Sequence, residues 1–114
     1  MITSYQKGLI AEWVARNFLR LRGFRILASR YVTGRRTGRA EIDIIARRGD
    51  LVIFVEVKRR RTDELAIDAV TFTQSGRLRA AAENWLRANR WRGPARFDMI
   101  VLSGMRPKWF RNAV

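Results

Sequence analysis

Between residues 4 and 22, Leu9, Ile10, Trp13, Val14, Phe18 and Leu21 recur three or four apart. That spacing predicts a helix with this stripe turned inward. Ser4 is placed as its N-cap, and Gly23 stands where the residue after a helix end favours glycine. The period then changes to two. Residues 24–31 predict a strand. Residues 40–47, AEIDIIAR, predict a second, with Ile42, Ile44 and Ala46 on one face, and residues 51–58, LVIFVEVK, a third. Arg48 and Gly49 predict a tight turn that makes the last two a hairpin. Residues 33–39, TGRRTGR, form a basic, glycine-bearing loop. Helical spacing returns at 63–70, then from a cap at Thr73 or Ser75 to near Asn89, with Leu78, Ala81, Ala82, Trp85 and Leu86 inward. Gly93 and Pro94 break it. Residues 96–102, RFDMIVL, predict a last buried strand beside the hairpin. Trp13 and Trp85, at helical spacing, are assigned to the core. Trp91 and Trp109 are open to core or base-stacking roles. Asp98, inside an apolar strand, is assigned a structural role. The order of elements predicts one α/β domain over residues 1–114, a mixed central β-sheet flanked by helices. Its core spans about 4–102, and the tail 103–114 is left packed or loose.

The third strand carries a contradiction. It is apolar enough to be buried, yet ends in Glu56 and Lys58. Alternation puts Leu51, Ile53, Val55 and Val57 on one face and Val52, Phe54, Glu56 and Lys58 on the other. With a turn at Arg48 and Gly49, residue 47 falls opposite 50, 43 opposite 54 and 41 opposite 56. Glu41, Asp43, Glu56 and Lys58 then share one face, provided the strands do not slip by one residue. Carboxylates this close repel unless a cation lies between them. A hard divalent ion, Mg²⁺ or Mn²⁺, suits two carboxylates, a backbone carbonyl and water. It would polarise a phosphate oxygen, while the compact Lys58 ammonium holds the attacking water or balances charge on the phosphoryl group. The alternative is exposed cross-strand ion pairs, each worth about 0.2–1 kcal/mol.

Composition narrows the chemistry. Apolar residues make up 47 % of the 114, which suits a packed domain and not a disordered basic tail. There is no cysteine and no histidine, which removes disulfides, thiol catalysis, histidine bases and almost all zinc or copper chemistry. The net charge is +14. A surface this basic attracts polyanions and releases their counterions, so nucleic acid is the expected partner. No signal-peptide pattern opens the chain and no apolar run approaches the ~20 residues of a membrane span, so the expectation is a cytoplasmic protein without a membrane partner. Lysine accounts for only three of the 24 basic residues, so an arginine bias makes Lys58 conspicuous. Arg35, Arg36 and Arg39 in the loop, and Arg59, Arg60 and Arg61 after the third strand, flank the proposed site and suit a phosphate backbone.

These residues resemble the PD-(D/E)xK nuclease superfamily, which includes restriction endonucleases and archaeal Holliday-junction resolvases: the aspartate of EID, then EVK on the next strand. More closely, the chain resembles the YraN-like family of small, endonuclease-like bacterial proteins. The stretches GLIAEWVARNFLRLRGFRIL, EIDIIARRGDLVIFVEVKRR, DAVT, RLRAAAENWL and RFDMIVL follow its pattern over about residues 7–102. The resemblance implies a restriction-endonuclease-like core and a Mg²⁺-dependent endonuclease acting on DNA in preference to RNA, with branched DNA among its substrates. Asp43 would be the first metal ligand, Glu56 the second acid, Lys58 the catalytic lysine, and Val57 a carbonyl ligand. Glu12 would match an acid that related nucleases use in or beside the site, although it could instead pair with Arg16 at i+4. Resolvases of this fold act as dimers, so a homodimer is also implied. Two departures stand out. Ala40 replaces the usual glycine before EID, and Gln74 and Ser75 stand where the family shows lysine and glutamine. Gln74 could still donate a hydrogen bond, and with Arg77 it is grouped among the nucleic-acid contacts. The rival expectation is a nuclease-like fold that binds nucleic acid without cutting it.

Overall fold

The structure, a computed structural model, describes residues 1–33, 40–60 and 76–112. Arg35, Arg36, Arg39, Arg61, Gln74, the helical piece at 63–70 and both candidate caps at Thr73 and Ser75 lie outside the described residues. Helix α1 (Ser4–Leu21) is followed by strands β1 (Arg25–Val32), β2 (Glu41–Arg48) and β3 (Leu51–Arg60). Helix α2 (Gly76–Ala88), β4 (Ala95–Ser103) and β5 (Arg106–Phe110) complete the order. The sheet runs β1-β2-β3-β4-β5. All neighbours are antiparallel except β3 and β4, which are parallel and flank the crossover containing α2. This is a mixed α/β sheet with helices on both faces, consistent with a restriction-endonuclease-like core.

Helix α1 starts from Thr3, not Ser4. The Thr3 hydroxyl accepts from the Gln6 N–H at 3.1 Å, and the Gln6 side chain accepts from the Thr3 N–H at 3.0 Å. This reciprocal box satisfies two otherwise orphaned donors. Gly23, at φ +88°, closes the other end as expected. The inward face differs from the predicted stripe. Ala11, Ala15 and Leu19 are buried, with Val14 and Phe18 packed beside them. Trp13, assigned to the core, is 57 % exposed, and Leu9, Ile10 and Leu21 also face outward. Small alanines let the helix lie close against Ile44, Ile53 and Ile100, so bulkier neighbours are turned to its flanks.

The other face of the sheet packs on α2. Ala81, Ala82 and Trp85 cover Val52, Phe54 and Ile45, with Trp85 edge-on to Phe54 at 5.9 Å between ring centroids. The residues from 103 onward are neither loose nor merely packed. They turn at Gly104 and add β5 to the sheet edge, where Trp109 meets Phe18 and Phe24 edge to face. Asp98, wholly buried, ties this edge together. It accepts from Arg96 at 2.7 and 2.8 Å, from the Trp109 indole at 2.9 Å and from the Asn112 N–H at 2.8 Å. Trp91 has its indole N–H on the Pro94 carbonyl and the Arg47 guanidinium over its ring.

Candidate active site

The hairpin turn sets the geometry. Arg48 pairs with Leu51, so the turn residues are Gly49 and Asp50, not Arg48 and Gly49. Gly49 takes the left-handed conformation, φ +61°, that such a turn requires. The register is therefore displaced by two residues from the predicted one. A displacement of two keeps every side chain on its face. The paired ladder ends at Ile44 opposite Val55, and just beyond it Asp43 and Glu56 line the same crevice.

Alternation along β2 is not perfect. Ile44 and Ala46 pack under α1, whereas Ile42 joins the cluster under α2. The predicted common face of Ile42, Ile44 and Ala46 is thus broken, and the break falls at Asp43. There the carboxylate, not a backbone carbonyl, takes the Val57 N–H at 2.8 Å. Asp43 substitutes for a rung of the sheet ladder between β2 and β3. Across the sheet, Arg30 of β1 adopts φ +53°, a left-handed bend unusual for arginine.

Four acids gather around this point. Burial pushes the Asp43 carboxyl up to about 6; the Val57 N–H opposes the rise, and the charges of Glu12, Glu56 and Glu41 add to it. Glu41, Asp43 and Glu56 line one small crevice with Phe54 and Leu78. Glu56 Oε1 pairs with the Lys58 ammonium at 2.8 Å. Glu56 Oε2 is buried and has no hydrogen-bond partner among the described residues. A buried carboxylate oxygen without a partner carries a free-energy cost that a cation or donor would remove. Glu12 does not pair with Arg16. It faces Arg30, whose Nε lies 2.9 Å from Oε1 and whose Nη2 lies 3.5 Å from Oε2. Arg30 was missed in the sequence because only its bent backbone aims it at α1.

The donors fit a hard divalent ion in part. Asp43 and Glu56 line the same crevice, and the charge of Glu56 acts on Asp43. Among the described residues, no three acidic side chains stand close enough to hold an ion by themselves. Magnesium is commonly held by one or two carboxylates, with water and substrate phosphate completing the shell. Val57 meets Asp43 through its N–H. Of the predicted nucleic-acid contacts, Arg59 is exposed and Arg60 half-buried at the end of β3; Arg77 is described only as a position in α2. Thr33 and Ala40 are bonded to each other: the Thr33 N–H donates to the Ala40 carbonyl at 3.0 Å, and the Ala40 N–H donates to the Thr33 hydroxyl at 3.1 Å.

Residues 11–102 match the uncharacterised protein family UPF0102. The chain belongs to this family. A UPF0102 protein of Rhizobium leguminosarum bv. trifolii is 46 % identical over 111 residues, covering 95 % of this chain and 88 % of the relative. One of Rhizobium etli is 47 % identical over the same length, with the same coverage. One of Paramagnetospirillum magneticum is 43 % identical over 103 residues, covering 89 % of this chain and 80 % of the relative. UPF0102 is the YraN-like, endonuclease-like family to which the ordered motifs pointed. No helix among the described residues of this UPF0102 member is long and apolar enough to cross a membrane.

Proposed function

We propose that this protein is a metal-dependent nuclease that hydrolyses phosphodiester bonds in DNA, branched DNA included, in the cytoplasm. The observation that carries the reading is the crevice that Asp43 and Glu56 line together, with Glu56 Oε2 buried and unpartnered among the described residues and Lys58 paired to Glu56. Asp43 and Glu56, with the Val57 carbonyl, would hold Mg²⁺ or Mn²⁺, which supplies a Lewis acid for a phosphate oxygen and for water.

The chain's own residues do the rest. The Val57 N–H fixes the Asp43 carboxylate in one orientation. Hydrolysis joins a water oxygen to phosphorus and breaks one ester bond, so negative charge builds on the phosphoryl oxygens. The Lys58 ammonium, about one-third exposed, can hold that water or offset that charge. A rigid strand end keeps both within reach. Arg59 and Arg60, with Arg35, Arg36, Arg39, Arg61, Gln74 and Arg77, supply backbone contacts. Glu12 acts beside the site by holding Arg30 and by its charge on Asp43.

One observation favours a second reading. Lys58 already neutralises Glu56, and Arg30 already neutralises Glu12. A site balanced from within needs no ion, and the protein would then hold nucleic acid without cutting it. Cleavage of labelled single-stranded, duplex, flap and four-way-junction DNA in Mg²⁺, Mn²⁺ and EDTA separates the two. The nuclease reading predicts metal-dependent cutting that vanishes in Glu56→Ala and Lys58→Ala with both variants folded. Wild-type rates in both variants would overturn it, and binding without cutting would favour the second reading.

A further inference from the structure

At the end of β3 remote from the hairpin turn, an open groove of about 470 Å³ runs between α1 and the ends of β3 and β4. Its base is apolar. Leu102 is buried there, while Ile10 and Met105 stand 39 % and 61 % exposed at its sides. Its rim carries Lys7 from α1 and Arg59 and Arg60 from β3. Among the described residues none of these three cations pairs with a carboxylate. Arg60 turns one guanidinium nitrogen to the Arg59 carbonyl at 2.7 Å, which leaves other donors for a ligand.

The volume lies within the ~300–1,000 Å³ of pockets that seat small molecules. The lining asks for a compact apolar body with negative charge at its edge. A nucleotide in an unpaired strand has that form, with base and sugar for the apolar base and phosphates for the cationic rim. Location supports the match. Arg60 lies two residues beyond Lys58, about 7 Å at the rise of a β-strand. Alternation puts Lys58 on the Phe54 face and the groove lies on the α1 face, so a strand with its phosphodiester at Lys58 brings a neighbouring nucleotide to the groove by passing round the end of β3, where Arg59 and Arg60 stand. A base inside a paired duplex would first have to leave its stack. A lipid surface carries similar charge, but a concave hollow suits an inserted base better than a flat bilayer.

We propose that the groove lined by Lys7, Ile10, Arg59, Arg60, Leu102 and Met105 seats an unpaired nucleotide, so that the protein prefers DNA with single-stranded character. The inference rests on the nucleic-acid part of the reading above and not on cleavage. It is tested in EDTA, where cutting plays no part, with a gapped duplex carrying 2-aminopurine in the gap and a fully paired duplex of equal length. Met105→Glu and Lys7→Glu change exposed positions.

The expected result is a 2-aminopurine signal that changes on binding, and a preference for the gapped DNA that falls about tenfold in Met105→Glu. Lys7→Glu should weaken gapped DNA more than duplex. An unchanged preference in both variants overturns the proposal. So does loss of binding to anionic phospholipid vesicles with DNA binding intact, which would make the groove a lipid site. Wild-type protein that cuts nothing but keeps the preference supports this inference and sinks the nuclease. Protein that cuts but lacks the preference does the reverse.

Discussion

Asp43 has surroundings unlike those of an ordinary surface acid. Burial and three neighbouring acids hold its carboxyl at about 6, against an unperturbed value of 3.8. The native state therefore keeps the proton more tightly than the unfolded chain. Stability falls as pH rises from below the lower value through the higher, and the cost is fully present above about pH 7. Asp43→Asn keeps an oxygen for the Val57 N–H and removes the charge. In EDTA it should be more stable than wild type above about pH 7, by at most about 3 kcal/mol, and lose that advantage below about pH 4. Thermal melts across pH check this; a gain independent of pH would contradict it. Magnesium should raise the wild-type midpoint in the same way and leave Asp43→Asn unmoved. The acids and Lys58 were legible in the sequence because a two-residue period carries face even when register slips by two. The bond from the Val57 N–H to Asp43 was not legible, since it depends on where β2 leaves the β3 ladder.

At the scale of elements, β1 to β4 and α2 followed from periodicity, and α1 was found but turned to the wrong face. A stripe of large apolar residues normally marks the buried side of a helix. Here Ala11 and Ala15 set the close approach, and side-chain size alone could not reveal it. β5 was missed because RPKWF has charge, proline and no clean alternation; its place follows from Asp98, which collects donors from Arg96, Trp109 and Asn112. Trp109→Phe keeps the ring contacts with Phe18 and Phe24 but removes a donor to a buried carboxylate. It should cost about 1–3 kcal/mol by chemical denaturation. Trp109→Ala, which also empties the ring's site, should cost about 3–5 kcal/mol. A Trp109→Phe variant as stable as the wild type would show that the indole N–H contributes nothing.

For the whole molecule, charge governs association. A net charge of +14 spread over 114 residues would make the proposed DNA binding strongly salt-dependent. The logarithm of affinity should fall linearly with that of salt concentration, with a slope of about −0.9 for each duplex phosphate contacted. Arg59→Ala and Arg60→Ala should each flatten that slope by about one unit where the side chain meets a phosphate. Composition alone is what points to a polyanion partner, and it could not reveal the groove, whose residues come from α1, β3, β4 and the turn before β5.

In the proposed nuclease, Asp43 and Glu56 share a divalent cation. Titration of Mn²⁺ into the protein, followed by calorimetry, tests it most directly, with Asp43→Ala and Glu56→Ala alongside. One ion bound per chain in the wild type, and lost in both variants, is the predicted result. Equal binding by all three proteins, or none by the wild type at millimolar concentration, would contradict it.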